Sequence, residues 1–188
     1  AKNNSAPSNL DSSPLTSFLL ATKKLGFNPA LAYDVGANRG VWAKEFLAVF
    51  PEAEIVLFEP QQHLSQTLRL FAESHPKASY RSCALSASAG KASFFSSPWD
   101  VTSRLAEPYG SQSDVNQFYQ VDVSTLDQQS LVDGRCPDLI KIDVEGEELS
   151  VLSGGAEVLS GVTVVILEVG ICCDTTTTAL AVTSRMNE

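Results

Sequence analysis

The chain has 188 residues, 44% of them hydrophobic and 19% charged, the size and composition of one globular domain able to bury a core. A formal net charge of −9 excludes a cationic field of the kind that gathers phosphate backbones or anionic lipid, so nucleic acid is not an expected partner. No stretch reaches the ~18 uninterrupted apolar residues of a membrane span, and the start AKNNSAPSNLDSSP lacks the basic-then-apolar order of a signal peptide, so a soluble, cytoplasmic protein is expected.

Residues 1–12 are polar and rich in Ser and Asn, and a flexible N-terminus is expected there. Ser13 and Pro14 supply an N-cap and a first-turn proline, and Leu15, Phe18, Leu19, Thr22 and Leu25 follow at helical spacing until Gly26. LAYDV (31–35) reads as an apolar strand, GANRG (36–40) as a loop and VWAKEFLAVF (41–50) as a helix ended by Pro51. EIVLFEP (54–60) is the next strand, and Leu64, Leu68 and Phe71 mark the core face of a helix that Pro76 closes. Strands are also expected at ASYRSCALS (78–86), PDLIKIDV (137–144) and VTVVILEV (162–169), the last two flanking a helix from about Glu147 to Leu159.

Alternating strands and helices of this kind predict a mostly parallel, doubly wound sheet. Between Gly90 and Asp127 the pattern changes: KASFF and FYQVDV read as an inserted β-hairpin around a long polar stretch that carries Trp99 and Tyr109. Loops of that length are often functional, and the two aromatic rings there are suited to stacking on a sugar, against the plainer reading of loop anchors. The tail from Asp174 is Thr-rich and predicts no element. Cys83, Cys136, Cys172 and Cys173 form no CxxC pair and have no nearby His, so they read as buried or incidental thiols. His63 and His75 lack ligand partners in sequence and read as surface residues.

Asp34-Val-Gly36-Ala37-Asn38-Arg-Gly40 ends a buried strand in an acid and turns through two glycines into a helix whose first N–H groups are unpaired. The G-x-x-x-G spacing departs from the G-x-G-x-x-G loop that seats a pyrophosphate. S-adenosylmethionine has no phosphate, but an amino-acid end and a sulfonium that an acid such as Asp34 suits; taken alone, a ligand-free strand-to-helix turn explains the loop nearly as well. Glu59 ends the second strand at the ~20-residue offset where an acid accepts hydrogen bonds from a ribose, and loop and acid together imply an adenosine nucleoside. Cys83-Ala84-Leu85-Ser86 falls at the same sheet edge, with small residues that leave room for an adenine, or as a plain strand end. In Lys141-Ile-Asp143-Val-Glu145-Gly146, Lys141 and Asp143 share side-chain parity at a strand end, and three ionisable groups there must pair or act.

DVGANRGVWA, FEPQ, CALS, VSTLD (123–127) and above all LIKIDVEGEELSVLSGG with LEV (167–169) resemble the FkbM family of S-adenosylmethionine-dependent methyltransferases, from about residue 13 to residue 170. The resemblance implies a Rossmann-like class I methyltransferase fold and O-methylation of a hydroxyl on a small-molecule or glycan acceptor such as a sugar or polyketide-type natural product. It implies that Asp34, Gly36, Ala37, Asn38 and Gly40 bind the amino-acid part of the cofactor, Glu59 and Pro60 its ribose, and Ala84 and Leu85 its adenine. Asp143, also at the cofactor, and Glu145 would face the transferred methyl and the acceptor, one of them serving as general base.

Class I methyltransferases usually place a helix and two strands after Gly170, where only residues 171–188 remain, so a shortened C-terminal part is expected and a cofactor-binding module without catalysis stays open beside the enzyme. A Mg²⁺-assisted enzyme using Asp143, Glu145 and Glu168 is a rival, but no further acid or Asn follows Glu168 to complete an oxygen set, so no metal site is expected. A nicotinamide oxidoreductase would want the tighter glycine loop.

Overall fold

A computed structural model of the chain describes residues 13–96, 103–105 and 118–168. Expectations for residues 1–12, for Trp99 and Tyr109, for Cys172 and Cys173, and for the tail 171–188 lie outside the described residues.

Helix α1 (Pro14–Lys24) starts as its sequence signals: Ser13 Oγ accepts the Thr16 N–H at 3.1 Å and Pro14 occupies the first turn. Ser13 and Thr16 hydroxyls both donate to Glu45, at 2.7 and 2.8 Å, and so fasten α1 to α2 (Val41–Val49). Strands β1 (Leu31–Val35), β2 (Glu54–Phe58) and β3 (Ala78–Arg81) alternate with α2 and, after a 3₁₀ turn, with α3 (Ser65–Ser74). β4 (Ala84–Leu85), β5 (Gly90–Phe95), β6 (Arg104–Leu105) and β7 (Phe118–Ser124) follow, then α4 (Leu126–Asp133), β8 (Leu139–Ile142), α5 (Glu148–Ser153), α6 (Ala156–Gly161) and β9 (Val164–Leu167).

The main sheet has the order β3-β2-β1-β8-β9 with every neighbour pair parallel, so chain direction across the sheet reverses between β1 and β8. Alternation along the strands divides the core between the two faces. Ala32, Ile55, Leu57 and Leu139 pack with Leu19, Phe46 and Leu68 on one side; Tyr33, Val35, Phe58, Ile140 and Ile142 pack with Leu126, Val151 and Val158 on the other. These side chains are almost wholly buried, each contributing about 1.5–3 kcal/mol of transfer free energy, so both faces need their helices. This is the doubly wound arrangement predicted from the sequence.

The predicted hairpin is present as β5 and β7, antiparallel from Gly90↔Val123 to Phe95↔Phe118, within a second sheet of order β4-β7-β5-β6. Three boundaries differ from expectation. ASYRSCALS is not one strand: the Cys83 N–H turns back to the Arg81 carbonyl at 3.0 Å, so β3 joins the main sheet and β4 pairs in parallel with β7. The helix expected over 147–159 is two short ones, broken at Gly154-Gly155, where the Asp127 carboxylate accepts the Val158 N–H at 2.9 Å and seats the start of α6. Helix α4 was not expected; Thr125 caps it through the Gln128 N–H at 3.1 Å, and it buries only Leu126 and Gln129 while Leu131 and Val132 face solvent, so its sequence carries no apolar stripe.

Candidate functional site

A cavity of about 290 Å³ opens at the carboxyl ends of β1, β2 and β8, where the strand order reverses, close to the small end of the ~300–1,000 Å³ range of ligand pockets. Phe94 of β5 and Ser103, Arg104 and Leu105 at β6 bring the second sheet over one side of it.

The wall formed by β1 and β2 is fixed by backbone. The N–H groups of Gly36 and Ala37 both donate to the Phe58 carbonyl at 3.0 Å, which turns the chain sharply off β1. Gly36 has φ +77°, and a Cβ on it would sit 1.8 Å from the Asp143 carbonyl oxygen, so only glycine lets the two loops meet. Asn38, at φ +48°, donates its N–H to Glu59 Oε2 at 2.8 Å, and the Gln61 N–H reaches Glu59 Oε1 at 3.0 Å. Glu59 is 3% exposed; burial pushes its carboxyl above the ordinary range, while the N–H groups of Gln61 and Asn38 pull the other way. The Gln61 side chain adds a third hydrogen bond, and a carboxylate with about four acceptor directions keeps one more, at a cavity it lines.

Of the residues predicted for a cofactor, Gly36, Asn38, Glu59, Pro60, Ala84, Leu85 and Asp143 line this one cavity. Ala37 lies in the core cluster, and the hydrogen that replaces a side chain on Gly40 points toward Leu57 and Leu68, so both shape the loop from behind. Asp34 does not line the cavity. It is 0% exposed beneath it, and its carboxylate is met by the ammonium of Lys141, the residue beside it in the β1–β8 register, at 3.2 Å. Burial raises the Asp34 carboxyl and the Lys141 charge opposes the rise.

The opposite wall is made of side chains. Asp143, Glu145, Glu147 and Glu168 line it, with Arg104 the one cation on the cavity among the described residues. Glu145 adopts φ +54°, an uncommon region for a residue with a long side chain and one that recurs at active sites. Glu148, buried behind it, accepts the N–H groups of Gly146 at 3.1 Å and Val144 at 3.4 Å and so holds the loop in that shape. Burial raises the Glu145 carboxyl, with help from the charges of Asp143 and Glu168; at Glu168 the neighbouring Asp143 is the largest cause of a rise, ahead of burial. Among the described residues no group of three His, Cys, Asp or Glu side chains is arranged to hold a metal ion.

Sequence reasoning missed Val35, Phe58, Gln61, Phe94 and the β6 residues as cavity lining, and it missed Glu148 as a brace. Only the E-x-x-E spacing Glu145…Glu148 hinted at the last. Cys83 also lines the cavity, with burial pushing its thiol up to about 11, which leaves it an unreactive apolar surface beside Ala84 and Leu85.

A parallel sheet with its acid-lined crevice at the reversal of strand order defines a Rossmann-like α/β protein. The profile of the methyltransferase FkbM domain matches residues 34–172, and the chain belongs to that family. The 2-O-methyltransferase NoeI of Sinorhizobium fredii (strain NBRC 101917 / NGR234) is 27% identical over 141 residues, which are 68% of this chain and 58% of that protein, so the chain spans little more than half of its relative's length. Precorrin-6y C5,15-methyltransferase from Geobacter metallireducens GS-15 superposes with a TM-score of 0.48 at 12% identity, covering 90% of this chain and 68% of that one. No helix among the described residues is long and apolar enough to cross a membrane.

Proposed function

We propose that the protein is an S-adenosylmethionine-dependent O-methyltransferase that acts on a hydroxyl of a sugar or natural-product acceptor. The observation that carries this reading is Glu59, a buried carboxylate anchored by the glycine loop itself and left with acceptor capacity at a nucleoside-sized cavity. The charge of the cavity agrees with it. Glu59, Asp143, Glu145, Glu147 and Glu168 face one arginine, a field that favours a ligand bearing a sulfonium and an ammonium and repels the pyrophosphate of a nicotinamide dinucleotide. The acceptor class is inferred from the family and from the 2-O-methyltransferase relative.

In this reading the cofactor supplies a methyl group already activated by its sulfonium. Glu59 accepts the ribose hydroxyls, Gly36 and Asn38 pass the amino-acid end, and Ala84 and Leu85 flank the adenine. What remains for the chain is to hold the acceptor oxygen in line and to take its proton as the oxygen–carbon bond would form and the carbon–sulfur bond break, leaving S-adenosylhomocysteine. Glu145 is placed for that: it lines the cavity on the side away from Glu59's anchors, and its raised carboxyl titrates nearer to neutral pH than a free glutamate. Asp143, beside it and tied to Lys141 at 3.1 Å, stays fixed as an orienting charge.

Calorimetric titration with S-adenosylmethionine and S-adenosylhomocysteine, with NAD as competitor, tests the cofactor; binding indifferent to NAD is expected. Transfer of label from methyl-labelled cofactor to a panel of sugars and phenolic natural products tests the reaction. Cofactor binding with no transfer to any hydroxyl would replace the enzyme with a binding module, and absence of binding by the folded chain would overturn the reading.

A further inference from the structure

Lys141 is 6% exposed, yet its ammonium is fully committed. Its Nζ lies 3.2 Å from Asp34 Oδ1 and 3.1 Å from Asp143 Oδ2, and it donates to the Gly36 carbonyl at 3.0 Å. An ammonium has three N–H groups, and here three acceptors from three different segments surround it: the end of β1, the glycine loop and the DVEG loop. The parallel register sets this up, because Asp34 and Lys141 are direct neighbours on β1 and β8, and Asp143 follows Lys141 on the same side of its strand.

We propose that Lys141 is a positioning residue whose single buried charge locks the cofactor loop to the DVEG loop, so that the ligand-binding wall and the acceptor wall hold one fixed relation. The proposal rests on the cofactor reading above for its functional consequence, though not for its chemistry. The acids paired with Lys141 are Asp34 from β1 and Asp143 at the end of β8, and Glu168 at the end of β9 also feels its charge. Burial lowers its basicity less than Asp34 and Asp143 raise it.

The test uses Lys141→Met, which keeps the stem and removes the charge, and the double variant Lys141→Met/Asp34→Asn, which removes the paired charges together. Without its counter-charge Asp34 keeps a raised carboxyl in the folded state; stability is then present where that carboxyl is protonated and is lost as pH rises through its folded value. Melting of ligand-free Lys141→Met, taken relative to the unsubstituted protein, is expected to fall with rising pH, and the trend is expected to vanish in the double variant. S-adenosylhomocysteine affinity of Lys141→Met at pH 7 is expected to drop by about 10-fold or more.

A Lys141→Met protein that keeps the unsubstituted pH profile of melting, or the unsubstituted affinity, overturns the proposal, because a side chain that merely fills space would behave so. If Lys141→Met does not fold, folding of the double variant supports the charge brace and failure of both refutes it. Lack of S-adenosylhomocysteine binding by the unsubstituted protein overturns the cofactor reading separately, and the melting profiles still decide the role of Lys141.

Discussion

The two walls of the cavity are built from different materials. On the side of β1 and β2, backbone does most of the holding: Glu59 is gripped by two main-chain N–H groups, and the loop is pinned by two bonds to the Phe58 carbonyl. On the side of β8 and β9, half-buried Asp143 stands with the exposed Glu145 and Glu168 at the ends of neighbouring strands; Glu145 is raised by burial and by Asp143 and Glu168, and Glu168 by Asp143 ahead of burial. A binding wall gains from preorganisation, since a fixed acceptor costs no ordering when the ligand arrives. A proton-transfer wall needs groups that change charge near working pH, which crowded acids do. Substitutions on the first wall should therefore move affinity, and those on the second turnover.

The severest break is expected where the walls touch. Gly36→Ala places a Cβ 1.8 Å from the Asp143 carbonyl oxygen and forces φ +77° on a residue with a side chain, so both loops must move. We expect a loss of about 3 kcal/mol or more of stability and no detectable S-adenosylhomocysteine binding, by thermal melting and calorimetry. A variant that melts and binds normally would show that the loops do not meet this closely.

Glu145→Gln probes the second wall. Turnover should fall by roughly 10²–10⁴ with affinity for S-adenosylhomocysteine nearly unchanged; equal losses in both would merge the two walls into one. In the unsubstituted protein turnover should rise with pH through a carboxyl value above the ordinary ~4.3, because Glu145 must be ionised to take a proton. Stability runs the other way: an acid raised on folding adds stability as pH falls through its folded value, and Glu145→Gln should remove that part of the pH dependence of melting.

How much of this was legible in the sequence depended on periodicity. LAYDV coincides with β1, and DLIKIDV and EIVLFEP contain β8 and β2, since strands buried on both faces give short unbroken apolar runs bounded by turn residues. The Lys141–Asp143 association followed from parity, but its partner Asp34 did not, because register between strands far apart in sequence is set only by the fold. The β3–β4 division was hidden for a similar reason: Ser82-Cys83 carries no breaker, and what sends the chain to a second sheet is the pairing available to β4 at β7. Ala37 and Gly40 entered the expected ligand site through the family resemblance, and in the fold they support the loop from its core side.

Glu59→Gln should be milder than either break above. The amide keeps one acceptor oxygen but leaves the N–H of Asn38 or Gln61 facing an NH₂ group, and it removes the charge-assisted bonds offered to a ribose. About 10–100-fold weaker S-adenosylhomocysteine binding is expected, with the maximal rate at saturating cofactor little changed. A fall in the maximal rate at unchanged affinity would reverse the assignment of the two walls.

The smallest effect should come from behind the second wall. Glu148 does not line the cavity but accepts the N–H groups of Val144 and Gly146, and those bonds hold Glu145 between them at φ +54°. Glu148→Ala orphans both donors and should cost about 1–3 kcal/mol by melting, and Glu145, released from its left-handed conformation, relaxes toward the commoner backbone regions. Turnover should fall by roughly tenfold, because the base remains but loses its aim, while S-adenosylhomocysteine affinity stays close to that of the unsubstituted protein. The acidic limb of the pH–rate profile should survive in Glu148→Ala and disappear in Glu145→Gln, which separates a group that positions the base from the base itself. Loss of that limb in Glu148→Ala instead would move the titrating role to Glu148 and leave Glu145 as its support.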